Sequence, residues 1–209
     1  LISLDQLENT LVVYTSDHGC HFRTRNPEYK RSGHDVSARV PMVMHGGPTT
    51  GWGRDERPFS LVDLAPTLCD AAGLEPPEGA QGRSLLGELP GESFIQISES
   101  QFGRAVRTDR WKLIATADDA SPSDRFANRL REAEVYDLVA DPYELVNLAG
   151  LPAYADVRRD LRDRLRRRMT DAGEPAAELE LLDGPPGPAP GQVGQLEVRD
   201  TDHREPKTA

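Results

Sequence analysis

Residues 15–35 read TSDHGCHFRTRNPEYKRSGHD, and their side chains could bind both a cation and an anion. The stretch holds three of the five histidines, His18, His21 and His34, together with Asp17, Glu28 and Asp35. Asp17 and His18 follow the apolar run LVVY, so they stand where a strand ends. A carboxylate oxygen and an imidazole nitrogen suit a divalent cation, and Gly19 lets the chain bend so that both reach one ion. A turn or cap is the plain alternative for an Asp-His pair. Two ligands do not complete a site, and the sequence offers no second evident cluster of Asp, Glu or His. Twelve residues after His18 comes Lys30, among Arg23, Arg25, Arg31 and Arg39. Against a whole-chain net charge of −10, residues 22–39 carry five cations and only Glu28 and Asp35. An ammonium beside a metal would favour a doubly charged tetrahedral anion and neutralise its non-reacting oxygens during an in-line displacement. A solvated charge is the plain alternative. Cys20 and His21 bring zinc to mind, but the repeated Cys/His pairs of zinc sites are absent. His34 stays open between a structural histidine bonded to loop backbone and a ligand contact.

Elements must hold these groups. LVVYTS and VPMVMH read as strands buried on both faces, a habit of parallel sheets covered by helices. Between them, residues 17–38 form a long polar loop, a length that often signals function. SLVDLAPTLCDAA carries a helical stripe at 61, 64, 65, 68 and 72, with Gly73 as its stop. Pro66 is awkward there unless the regular helix begins near Asp63 after a looser turn. SFIQISES alternates like a strand, RAVRT and RWKLIAT form an antiparallel hairpin, and EVYDL is a short strand. Val157, Leu161, Leu165 and Met169 lie on one face of an otherwise basic helix. Leu1 to Leu7 reads as the end of a helix.

Composition bounds the rest. The 209 residues are 37% hydrophobic and only 6% aromatic, with 18 Gly and 17 Pro. Part of the chain therefore stands outside any core, and residues 173–209, rich in Pro, Gly and acid, read as a disordered tail. The acidic balance argues against a nucleic-acid partner. No apolar run of 18 residues points to a membrane span. The chain opens mid-pattern without Met, so it reads as a fragment, and its compartment and oligomeric state stay open. Two cysteines, Cys20 and Cys69, make no disulfide framework.

These segments, taken in order, resemble the sulfatase family of the alkaline-phosphatase-like superfamily. ENTLVVYTSDHG, YKRSGHDVSARVPMVMHGGP, SLVDLAPTLCDAAGLEPPEGAQGRSL, RAVRTDRWKLI and VYDLVADPYELVNLA carry the likeness over roughly residues 1–170. The resemblance implies an α/β fold: the end of a mixed, largely parallel sheet flanked by helices (1–100), then a small antiparallel sheet with one packed helix (101–172). It implies that Asp17 and His18 bind the ion, normally calcium, and that Lys30 holds the sulfate as a catalytic and substrate-binding group. His34 lies where many relatives carry Tyr and is taken as a substrate contact. Asp35 stands where Glu is common, and Arg39 with Pro41 matches an R-x-P pair that fixes the start of a strand. The family nucleophile, a formylglycine made within C/S-x-P/A-x-R, has no counterpart: Cys20 is followed by HFRT and Cys69 by DAAG. The expected protein is therefore the C-terminal part of a sulfatase acting on a small-molecule or carbohydrate sulfate ester, inactive as a piece. A phosphodiesterase or phosphonate hydrolase of the same superfamily, or a non-catalytic binding protein keeping the fold, are the alternatives.

Overall fold

A computed structural model describes residues 1–184 apart from 2, 4, 8, 90, 98–101, 118, 119, 122 and 123. The helix end expected at 1–7 and the last residues of SFIQISES fall partly outside that set, and the Pro/Gly-rich stretch from 185 onward falls wholly outside it.

Val12–Thr15 (β1) and Met42–His45 (β2) pair antiparallel, Val13 facing Met44 and Thr15 facing Met42. The α/β class holds, but this pair corrects the expectation of parallel strands buried on both faces. One face of the ribbon is partly covered, and the other leaves Val12, Tyr14 and Val43 exposed. β-branched apolar residues record that a position can be buried, not which element buries it. The intervening segment is irregular, as expected, except for one helical turn at Asp35–Ala38 (α1).

The Pro66 conflict resolves as the sequence requires. Leu61–Asp63 forms a 3-10 turn, and the α-helix runs only over Leu64–Ala71 (α2), leaving Pro66 in its first turn. Ser60 and Asp63 close a reciprocal capping box at its start. Asp63 Oδ1 also accepts the Arg83 amide at 2.8 Å, and Thr67 Oγ1 accepts the Leu85 amide at 2.9 Å. The polar residues of DLAPT thus fasten the following G-R-S-L loop onto the helix. Gly82 has no choice of residue, since a Cβ there would overlap the Val62 carbonyl.

Ser93–Ile97 (β3), Gly103–Arg107 (β4), Trp111–Thr116 (β5), Arg129–Asp137 (β6) and Glu178–Glu180 (β7) form a sheet in that order. The first three pairings are antiparallel and β7 joins β6 in parallel. β3 lies before residue 101 and pairs with β4 of the C-terminal sheet. The segment expected to be disordered from 173 is packed at its start, with Ala177 and Leu179 buried and Glu174 paired to Arg104 at 2.7 Å. Alternation in A-E-L-E-L supplies an edge strand that acidity concealed. β6 is also longer than EVYDL suggested. Within its charged first half Leu130 and Glu132 are buried, and Glu132 accepts from Nε and Nη2 of Arg158 at 2.7 Å each. Arg158 comes from Ala155–Asp171 (α3), which packs Leu161, Leu165 and Met169 against Val106, Leu113 and Val135. Among the described residues no helix is long and apolar enough to cross a membrane.

Candidate cation- and anion-binding site

The site begins where β1 ends. Asp17 Oδ1 accepts the His18 amide at 3.0 Å, and Ser16 Oγ donates to the His18 carbonyl at 3.0 Å. These two bonds fold the chain back so that neighbouring side chains share one side. His18 Nδ1 lies 2.7 Å from the Gly19 carbonyl, an acceptor only, so the ring proton is assigned to Nδ1. The Nε2 lone pair then faces outward. It accepts from the Lys30 ammonium at 3.2 Å and stands 3.5 Å from Asp17 Oδ2. The sequence-predicted Asp17, His18 and Lys30 are therefore brought together.

Gly19 is needed for a reason other than bending. Its amide donates to the Ser37 carbonyl at 2.8 Å, and a Cβ would overlap the Val36 carbonyl. Backbone meets backbone here, which only glycine allows. Lys30 is held through its main chain: its carbonyl accepts from His21 Nε2 at 3.1 Å and from Asn26 Nδ2 at 3.2 Å. The Tyr29 ring lies 5.5 Å from its ammonium. His21 is thereby a buried brace inside the loop, and Cys20 is a free thiol.

His34 points the other way. It is buried, its Nε2 lies 2.7 Å from Glu134, and the Tyr136 hydroxyl donates to the same carboxylate. Burial alone would raise the Glu134 carboxyl, but the His34 and Tyr136 contacts outweigh it and hold the group below its ordinary range. Burial, then the adjacent Glu134 charge, pushes the Tyr136 phenol up. His34 is absent from the walls of the cavity beside Lys30. These side-chain contacts, rather than bonds to the loop's own backbone, join His34 to β6.

Asp35 is tied to the C-terminal sheet as well. Its carboxylate receives the Arg107 guanidinium at 3.0 Å and the Lys112 ammonium, while Glu144 Oε2 accepts its amide at 2.8 Å. Burial opposes the charged form of Asp35, yet Lys112 and Arg107 together keep its carboxyl below the usual range. Sequence reasoning missed Lys112 and Glu144. The available signal was a lysine inside the apolar run of β5, since an amine buried there requires anionic partners.

A cavity of about 270 Å³ opens beside the three converging groups. His18, Lys30 and Ser37 line one side, and Ile95, Gln96 and Ile97 of β3 line the other. β3 was expected as a strand but not as a wall of the site. For a divalent cation the donor set fits in part. Asp17 Oδ2 and His18 Nε2 are both acceptors 3.5 Å apart, and the Nε2 lone pair is held here by the Lys30 ammonium, so a cation takes it only when that ammonium turns to an anion. Donors this far apart can both reach a cation at about 2.3–2.6 Å. Among the described residues, no set of three or more His, Cys, Asp and Glu side chains could hold a metal ion.

The Sulfatase family model matches residues 1–74. Arylsulfatase K of Canis lupus familiaris is 32% identical over 186 residues, 79% of this chain and 32% of that protein. The chain belongs to the sulfatase family. It spans about a third of the length of the curated relatives it matches. The solved structure of BT4656 in complex with its substrate D-glucosamine-2-N,6-O-disulfate resembles this sulfatase chain with a TM-score of 0.69 and 26% identity, over 83% of this chain and 36% of that one. The phosphonate monoester hydrolase of Silicibacter pomeroyi gives a TM-score of 0.65 and 27% identity, over 82% and 37%. In this sulfatase chain a carboxylate, an imidazole and an ammonium stand beside a cavity that a strand of the C-terminal sheet also lines.

Proposed function

We propose that the protein containing this chain is a sulfuric-ester hydrolase acting on a sulfated carbohydrate. Asp17 and His18 are the ion ligands contributed by this chain, with calcium as the ion, and Lys30 grips the sulfate. The observation that carries the reading is the convergence of the Lys30 ammonium, His18 Nε2 and the Asp17 carboxylate within 3.2 and 3.5 Å steps beside the cavity. Lys30 places positive charge against the non-bridging oxygens of the ester and neutralises the charge they carry as the nucleophile approaches, while the electron pair of the breaking S–O bond leaves with the bridging oxygen. Ser37 and residues 95–97 of β3 line the same cavity as Lys30 and His18. His34 is carried as a residue that fixes the loop rather than as a direct contact. A bound calcium supplies Lewis-acid polarisation of the sulfate and orients it. A formylglycine would supply the nucleophilic aldehyde hydrate, and its C/S-x-P/A-x-R motif does not occur in these 209 residues. The carbohydrate assignment follows from the glucosamine disulfate held by BT4656.

The test is hydrolysis by the full-length protein of an aryl sulfate, glucosamine 6-sulfate and an aryl phosphonate monoester, with and without a calcium chelator. Faster turnover of a sulfate, lost on chelation, is expected. The likeness to a phosphonate monoester hydrolase supports the second reading, and faster phosphonate turnover would decide for it. A full-length protein that binds the sulfated sugar without cleaving any ester would favour a non-catalytic relative.

A further inference from the structure

The strongest unused feature of the molecule is a buried charge cluster below the loop. Lys112 is 0% exposed, and its ammonium bridges Asp35 and Glu144, the latter at 2.6 Å. Glu144 is 1% exposed and keeps a positive φ of 55°, a strained conformation for a residue with a side chain. Its backbone is clamped from the loop side: Arg25 donates to the Glu144 carbonyl at 2.7 Å and to the Tyr143 carbonyl at 2.6 Å. Each oxygen of the Glu144 carboxylate has a separate task, one on Lys112 and one on the Asp35 amide. A buried ammonium costs several kcal/mol of desolvation unless matched, and here it is matched by groups that all lead to one turn of helix, α1. From α1 the path to the site is two bonds long. The Ser37 carbonyl takes the Gly19 amide, and Gly19 adjoins His18. Ser37 and Lys30 also share the cavity wall.

We propose that Lys112, acting with Glu144 through Asp35 and α1, is a positioning residue that sets the placement of Asp17, His18 and Lys30. The C-terminal sheet therefore does more than stabilise the chain: it fixes the geometry of the cation and anion half-sites. This rests on the roles given above to Asp17, His18 and Lys30.

The test uses Lys112→Met in the full-length protein, with three readouts. Amide hydrogen exchange at Gly19 and His21 is expected to rise about tenfold or more, while Leu113 and Val135 in the sheet keep their protection. Calcium affinity and kcat are each expected to fall about 10–100-fold, the usual cost of losing an outer support of a metal site. Equal loss of protection in loop and sheet would overturn the proposal, because it would mean a general stabilising role. Unchanged exchange at Gly19 and His21, or unchanged calcium affinity and kcat despite it, would also overturn it. Should Lys112→Met fail to fold, Glu144→Gln keeps an oxygen for the Asp35 amide and turns an amide NH2, a donor, toward the Lys112 ammonium in place of a carboxylate oxygen; the same local pattern is expected, and its absence counts against the proposal. The exchange arm needs neither ion nor ester. An inactive wild-type protein would sink the hydrolase reading while exchange still judged Lys112.

Discussion

The Lys30 ammonium donates to His18 Nε2 across 3.2 Å, although the two residues are twelve apart in sequence and neither lies in a helix or strand. An anion gripped by Lys30 therefore sits within reach of whatever His18 and Asp17 hold. Lys30→Ala is expected to lower kcat/KM for sulfate esters about 100-fold, as for other lost charge-stabilising contacts. Calcium affinity measured in parallel should stay at the wild-type value, and a large fall would reassign Lys30 to a structural role.

Asp17→Ala should show the reverse order of effects. Its carboxylate is 83% exposed and supports little of the fold. Thermal unfolding should shift little, while calcium titration should show at least about tenfold weaker binding. Normal calcium binding by this variant would remove Asp17 from the ligand set.

Gly19→Ala adds one methyl group where the Val36 carbonyl already stands. The loop must separate from α1 to admit it, at about 1–3 kcal/mol of stability. Chemical denaturation of the full-length protein measures this, and an unchanged midpoint would contradict the close approach.

Acid should weaken the protein through Asp35 and Glu134. Both carboxyls are held below their ordinary values, 3.8 and 4.5. Carboxyls with lowered folded values stabilise fully above their unfolded values, about 3.9 for Asp and 4.3 for Glu. That contribution disappears as pH falls from there through the lower folded values. Stability measured from pH 6 to pH 2 should drop more steeply below about pH 4 in the wild type than in Glu134→Gln. Parallel curves would show that the pairing with His34 contributes nothing to the pH dependence.

Much of this arrangement was legible in the residues themselves. The strand ending at Thr15, the turn of helix that tolerates Pro66, the hairpin around Asp109 and the Leu161-Leu165-Met169 stripe all follow from local periodicity and proline chemistry. The sequence also placed Asp17, His18 and Lys30 in one polar loop, and folding brings their side chains within 3.2 and 3.5 Å of one another in turn. Partners distant in sequence were not legible. Nothing near residue 35 announces that Lys112 and Glu144 will neutralise Asp35, and nothing in SFIQI announces a cavity wall. The acidic run around Glu178 and the charged start of β6 misled for one reason. Charge normally marks solvent, and Arg104 and Arg158 reverse that meaning only once the chain has folded.

The parallel strand β7 bears on how the protein should be handled. Cutting the gene after Ala172, a natural choice because the Pro-rich region looks dispensable, would leave β6 paired on one side only, with β5. A row of unpaired peptide donors and acceptors would then face water, an invitation to edge-to-edge clumping. It would also strand the Arg104 guanidinium in the interior without its counter-charge. Shortened versions should end no earlier than Gly184.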